Sequence, residues 1–228
     1  MKLLYAAYPL LFTIGVFADI VQTGAVPAYL PFGTLAFVTW AAGVIFTLNP
    51  LGDQGAALPT TLLSRVDGSR FVRAHLLASL LVAVPAGLAV TAVVAALSPV
   101  ETPTAIGLVA AVVPLMILSS ALSVGIGMAF PRFRAVNVTR SLKTVVPSKL
   151  AFLLFSLHLV LTVTAGAVVA EEGARTVLAA LVSLVPLVPD VDPGTLYAVA
   201  AVALAPLVVA PFASYRYAVR RFDGYTLE

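Results

Sequence analysis

Six separate runs of about twenty almost wholly apolar residues constrain this chain more than any other feature of it. About 20 apolar residues in a helix cross the hydrocarbon of a bilayer, and inside it a helix satisfies its own backbone hydrogen bonds. The runs cover about 3–21, 26–48, 74–97, 104–130, 150–170 and 196–215, with charge, proline and glycine at their ends. A seventh run, 177–188, is too short to cross; it carries Ser183 and Pro186 and stops at Pro189-Asp190, so it reads as an interfacial or re-entrant helix. Composition agrees. With 61% apolar and only 10% charged residues, against roughly 25% charged in soluble domains, the chain cannot cover a globule in water. The expected fold class is all-α, a polytopic membrane helix bundle forming one transmembrane domain over residues 1–228 in the cell membrane.

Six spans place both termini on one side, and basic residues tell which side that is. One side would hold Lys2, then Arg65, Arg70 and Arg73, then Arg132, Arg134, Arg140, Lys143 and Lys149, then Arg216, Arg220 and Arg221, which is 12 of the 13 basic residues. The other holds Arg175 beside Glu101, Glu171, Glu172, Asp190 and Asp192. Both termini and the two long basic loops are therefore expected in the cytoplasm, with the short helix outside between spans five and six. The net charge of +3 is an orientation signal, not the footprint of a nucleic-acid partner. A cleaved signal peptide competes for the first run, since Lys2 precedes it and Gly24-Ala25 follow, but the run is long for that role. Asn137-Val138-Thr139 is a formal glycosylation acceptor in a loop expected inside, where it has no use.

Little in the chain points to chemistry. There is no cysteine, the two histidines stand far apart, and no phosphate-binding glycine loop occurs, so no metal, cofactor or catalytic residue is expected. Asp67-Gly68-Ser69-Arg70 opens like the metal motif of membrane phosphatidyltransferases, but no carboxylate follows until Glu101 to complete a cage. Ser119, Ser123 and Gly127 stand four apart with Gly125 beside them, a helix-packing stripe. Pairing Ser119, Ser120 or Ser123 with His158 as a nucleophile lacks a third, orienting group. Asp19 and His158 are the polar groups inside runs that suit a pathway, with a reach to the interface for Asp19 and an interhelical hydrogen bond for His158 as the plainer readings. Pro85, Pro114, Pro206 and Pro211 should bend their helices.

The loop 49–73 is the most informative segment. It opens with Asn49-Pro50-Leu51-Gly52-Asp53-Gln54-Gly55, and Pro59 then starts a short helix with Leu58, Leu62, Leu63 and Val66 largely on one side. Asp67-Gly68 is expected to end that helix and Ser69 to cap the next.

At this loop, at Phe130-Pro131-Arg132-Phe133, and at Arg220-Arg221-Phe222-Asp223-Gly224-Tyr225-Thr226-Leu227, the sequence resembles the permease subunits of type 2 ATP-binding-cassette (ABC) exporters, in particular the C-terminal six-span half of prokaryotic members. In topology the resemblance covers nearly the whole chain. It implies a transmembrane subunit that hydrolyses nothing itself and pairs with a second permease half and a separate ATPase. The loop 49–73 would be its coupling element, with Asp53, Gln54, Leu58, Leu62, Leu63, Arg65, Arg70 and Arg73 as docking candidates. Gln54 stands where the family often has an acidic residue, and apolar residues begin directly after Lys2, where relatives carry an amphipathic helix. The arginines equally suit an anchor against anionic membrane lipids. The alternative is a non-transporting scaffold or accessory subunit that keeps the permease fold. For a transporter, spans so poor in charge suit a lipid-like or hydrophobic cargo.

Overall fold

A computed structural model describes residues 20–137, 143–184 and 191–226. It is helical apart from one short antiparallel pairing. In chain order the elements are α1 (Leu30–Phe46), α2 (Pro50–Gln54), a 3-10 turn (Gly55–Ala57), α3 (Leu58–Leu63), α4 (Gly68–Leu97), α5 (Thr102–Ala129), β1 (Ala135–Asn137), β2 (Lys143–Val145), α6 (Lys149–Ala170), α7 (Glu172–Ser183) and α8 (Pro193–Asp223). Among the described residues, α4, α5, α6 and α8 are long and apolar enough to cross a membrane. Their outward faces carry large apolar side chains such as Leu81, Val93, Leu153, Val160, Val199 and Val202, a surface that suits lipid and not water. The chain is a multi-pass membrane protein.

The second expected span needs revision, and the first falls almost wholly outside the described residues. Residues 20–23 are helical; the remainder of the run 3–21, Asp19 included, lies outside the described residues. The run expected over 26–48 yields a helix of only 17 residues, about 25 Å at 1.5 Å per residue. It starts late because Pro27 and Pro31 bracket a turn in which the Leu30 N–H donates to the Pro27 carbonyl (3.0 Å). It ends early because Asn49 precedes a proline, which drives the chain out of helical geometry. α1 and α2–α3 are long and apolar enough to cross a membrane only together, as a pair bent by 51°, a broken span or a re-entrant loop.

The caps explain the other boundaries. Ser148 accepts the Ala151 N–H (3.1 Å) to start α6. Asp192 accepts the N–H groups of Gly194 and Thr195 (2.9 and 3.0 Å), with Pro193 in the first turn of α8. Arg175 of α7 donates from Nε to the Val168 carbonyl (2.8 Å) and from its terminal nitrogen to that of Val169 (3.2 Å), satisfying the last turn of α6. Its guanidinium also lies 4.9 Å from the centre of the Tyr197 ring. The short helix expected over 177–188 is α7, which begins earlier, at Glu172, and runs to Ser183; residues 185–190 lie outside the described residues.

Contacts group the chain into two compact units, Met1–Thr39 with Leu81–Met116, and Trp40–Leu80 with Ile117–Glu228. In the first, α4 and α5 pack so closely that a Cβ at Gly87 would strike the Met116 side chain. In the second, glycines and small hydroxyls set the helix distances. A side chain at Gly125 would strike the backbone of Ser214, and one at Gly127 the Leu48 carbonyl. Such close approach suits lipid surroundings, where packing and not water exclusion holds helices together.

Candidate functional site

The second unit gathers three sequence segments that lie far apart in the chain. At its centre is an apolar cluster of Leu51, Leu58, Phe71, Val72, Val124, Met128, Ala218 and Phe222, flanked by Leu62, Val66, Val219 and Tyr225. The loop 49–66 supplies one wall, the first turn of α4 a second, the last turns of α5 and α8 the others. Phe71 and Phe222 stack with their centroids 4.0 Å apart and 16° between planes.

Polar contacts fix the same joint. The Asp223 carboxylate accepts the Gly68 N–H (2.6 Å), and Asp67 accepts the Arg70 N–H (2.8 Å) while its second oxygen stands 3.2 Å from Arg70 Nε. Two carboxylates therefore occupy the N-terminus of α4, where unpaired N–H groups attract negative charge. The expectation that Ser69 caps this helix is corrected: Asp67 does so, and α4 begins at Gly68. Glycine is needed there because a Cβ would meet the Val219 carbonyl.

Asn49, 1% exposed, exchanges two bonds with the backbone of Arg132: its amide donates to the carbonyl (2.9 Å) and its oxygen accepts the N–H (3.0 Å). It thus acts as a strand partner to the chain leaving α5. Gly52 lets that segment approach, since a Cβ would collide with the Arg132 carbonyl. Gln54 bridges inward: its amide donates to His75 Nε2 (3.4 Å), Thr61 Oγ1 donates to its oxygen (3.2 Å), and His75 Nδ1 donates to the Phe71 carbonyl (3.0 Å). Asp53 points outward, yet the surrounding protein strips enough of its water to push its carboxyl up to about 6.

The docking candidates accordingly divide. Leu58 is 4% exposed and Leu62 half-buried, both turned into the cluster, so the apolar face expected to meet a partner is the face that welds the loop to its own helices. Leu63 is 82% exposed and stands outward with Pro59 and Thr60. Arg65 follows at a positive φ of 55°, a left-handed turn that ends α3 and holds the residue outward. Arg70 pairs with Asp67, and Arg73 Nε donates to the Tyr215 hydroxyl (3.3 Å). Asn49, Phe71, Phe222 and Asp223 hold this arrangement together without being among the docking candidates; Asn49 and Phe71 lie within the loop 49–73, and Phe222 and Asp223 within the segment 220–227 that carries part of the family resemblance.

Within the helices, polar groups tie one to another. Ser123 of the α5 stripe is hydrogen-bonded to Thr47, Gly127 faces Leu48, and Ser119 lies where a Cβ at Gly43 would strike it. Ser79 bridges to Ser120 (3.3 Å), Trp40 donates to Ser156 (3.0 Å), and Ser214 donates to the Leu122 carbonyl (2.6 Å). His158 donates from Nε2 to the Leu207 carbonyl (3.1 Å), so it serves a helix contact. Among the described residues no group of three His, Asp or Glu stands together as a metal site. No protein-family model, curated protein or solved structure matches the chain.

Proposed function

We propose that the chain is the transmembrane subunit of an ATP-driven exporter, contributing half of a pathway and coupling to a separate ATPase through the loop 49–73. The supporting observation is the convergence of segments 49–73, 130–133 and 220–225 around one apolar cluster. A coupling element must not slide on the helices it moves. Here the loop is stacked, capped and hydrogen-bonded to the ends of α4, α5 and α8, and a short ridge around Pro59 and Leu63 stays exposed. A push on that ridge is delivered to three helices at once.

In this reading the chain has six spans, the run 3–21 being the first and the whole run 26–48, of which α1 is the regular helical part, the second, with both termini in the cytoplasm. Arg65, Arg70, Arg73, Arg132, Arg134, Arg216, Arg220 and Arg221 then lie on the inner side with the cluster. A second permease half completes the pathway. The ties of Thr47, Ser79, Ser123, Trp40, His158 and Ser214 to their neighbours favour a lipid-like cargo, and equally the accessory-scaffold reading. The two part on one test: whether an ATP-hydrolysing subunit stays with the solubilised chain and is lost on Leu63→Asp.

A further inference from the structure

Two prolines five residues apart lie inside α8. Each lacks an N–H, so Pro206 leaves the Val202 carbonyl and Pro211 the Leu207 carbonyl without its usual helical donor. The Leu207 carbonyl receives a donor from another helix, His158 Nε2–H of α6 at 3.1 Å. Because a carbonyl only accepts, Nε2 carries the proton, and the imidazole replaces the bond that Pro211 removes.

The helix changes partners across these two prolines. Above them, Leu196, Ala200, Leu204 and Leu207 pack with Ala165 and Val168 of α6 and with Leu178 of α7. Below them, Ser214 is bonded to the Leu122 carbonyl with its backbone pressed on Gly125, and Phe222 and Asp223 are fixed to the start of α4.

We propose that α8 is a two-part lever hinged between Pro206 and Pro211, and that His158 is the pin setting its angle. The upper part is carried by α6 and α7, the lower part by the loop-bearing cluster. A side-chain hydrogen bond from a neighbouring helix, in place of the helix's own backbone bond, leaves the joint bendable but centred. The hinge does not depend on what the loop 49–73 binds.

The test uses the full chain in lipid nanodiscs, with spin labels on cysteines introduced at exposed Val202 and Tyr217 of this cysteine-free sequence. The two sites are about 22 Å apart along a straight helix. The parent should give one narrow distance distribution. His158→Leu should broaden it toward shorter distances, because the Leu207 carbonyl loses its donor. Adding Pro211→Ala to His158→Leu should restore a narrow distribution, since the alanine N–H can donate to Leu207. If His158→Leu does not fold, recovery of folded protein by the added Pro211→Ala supports the hinge in the same way, and no recovery overturns it. An unchanged distribution in His158→Leu, or failure of Pro211→Ala to rescue it, likewise overturns the hinge.

Discussion

Asp223 accepts the backbone N–H of Gly68 at 2.6 Å, so the last residue of α8 caps the first residue of α4. The Phe222–Phe71 stack lies beside it, and together they bind the end of α8 to the start of α4, where the loop 49–66 packs. Neither contact is visible from local sequence. Both decide how the loop is held.

Removing the stack should loosen the loop. Phe222 is 3% exposed, and Phe222→Ala leaves a cavity in the cluster, so it should lower stability by about 3–5 kcal/mol. Thermal unfolding in detergent measures this. A melting temperature equal to that of the parent would show that the cluster does not support the fold.

Helix spacing gives a paired prediction. Gly125→Ala drives a methyl group into the Ser214 backbone and should cost about 1–3 kcal/mol. Gly107, within α5 with nothing within 4 Å of its Cβ position, should become slightly more stable as alanine, by roughly 0.5–1 kcal/mol. Equal melting temperatures for the two variants would contradict the packing described.

Two carboxyls of the loop should respond oppositely to pH. The Arg70 backbone N–H holds Asp67 below its ordinary value, so its stabilisation is fully present above the ordinary carboxylate range and is lost as the pH falls through the folded value. For Asp53 the folded value is raised from 3.8 to about 6 by lost hydration, so between those values the folded state binds the extra proton and stability grows as the pH falls through 6. Relative to Asp53→Asn, the parent should gain melting temperature from about pH 7 to about pH 5. Parallel curves for the two proteins would show that Asp53 titrates normally.

Orientation is open to direct labelling. Single cysteines at Glu101 and Glu172 should react with a membrane-impermeant reagent added outside intact cells, and one at Ser69 should react only after permeabilisation. Outside labelling at Ser69 would reverse the assignment of the loop to the cytoplasm.

The long helices were legible because lipid imposes a length and a composition on them: the runs 104–130 and 150–170 match α5 and α6 closely. Hydropathy locates the lipid and not the helix end, which is why α4 starts before the expected 74, at Gly68, and α8 runs past 215 to Asp223. In α1 two prolines near its start and Asn49-Pro50 at its end outweighed an apolar run that read as a full span. The loop was identifiable as a short amphipathic helix, but periodicity cannot say whether an apolar face meets a partner or the chain itself. Leu58 and Leu62 meet the chain, and Leu63 does not. The pairs Asn49–Arg132 and Gly68–Asp223 join residues 83 and 155 apart, and no local pattern announces them.

The central claim is that the loop ridge at Leu63 couples this chain to an ATPase, and the most direct measurement is recovery of ATP-hydrolysing activity with the tagged chain purified from its native membrane in mild detergent. Because Leu62 is part of the internal cluster, the informative substitution is Leu63→Asp alone, at a position exposed enough to leave the fold intact. The parent should retain the activity, and Leu63→Asp should lose most of it while eluting at the same folded yield. A parent that carries no ATPase, or a Leu63→Asp variant that retains it undiminished, would contradict the coupling role and leave the accessory scaffold as the better account.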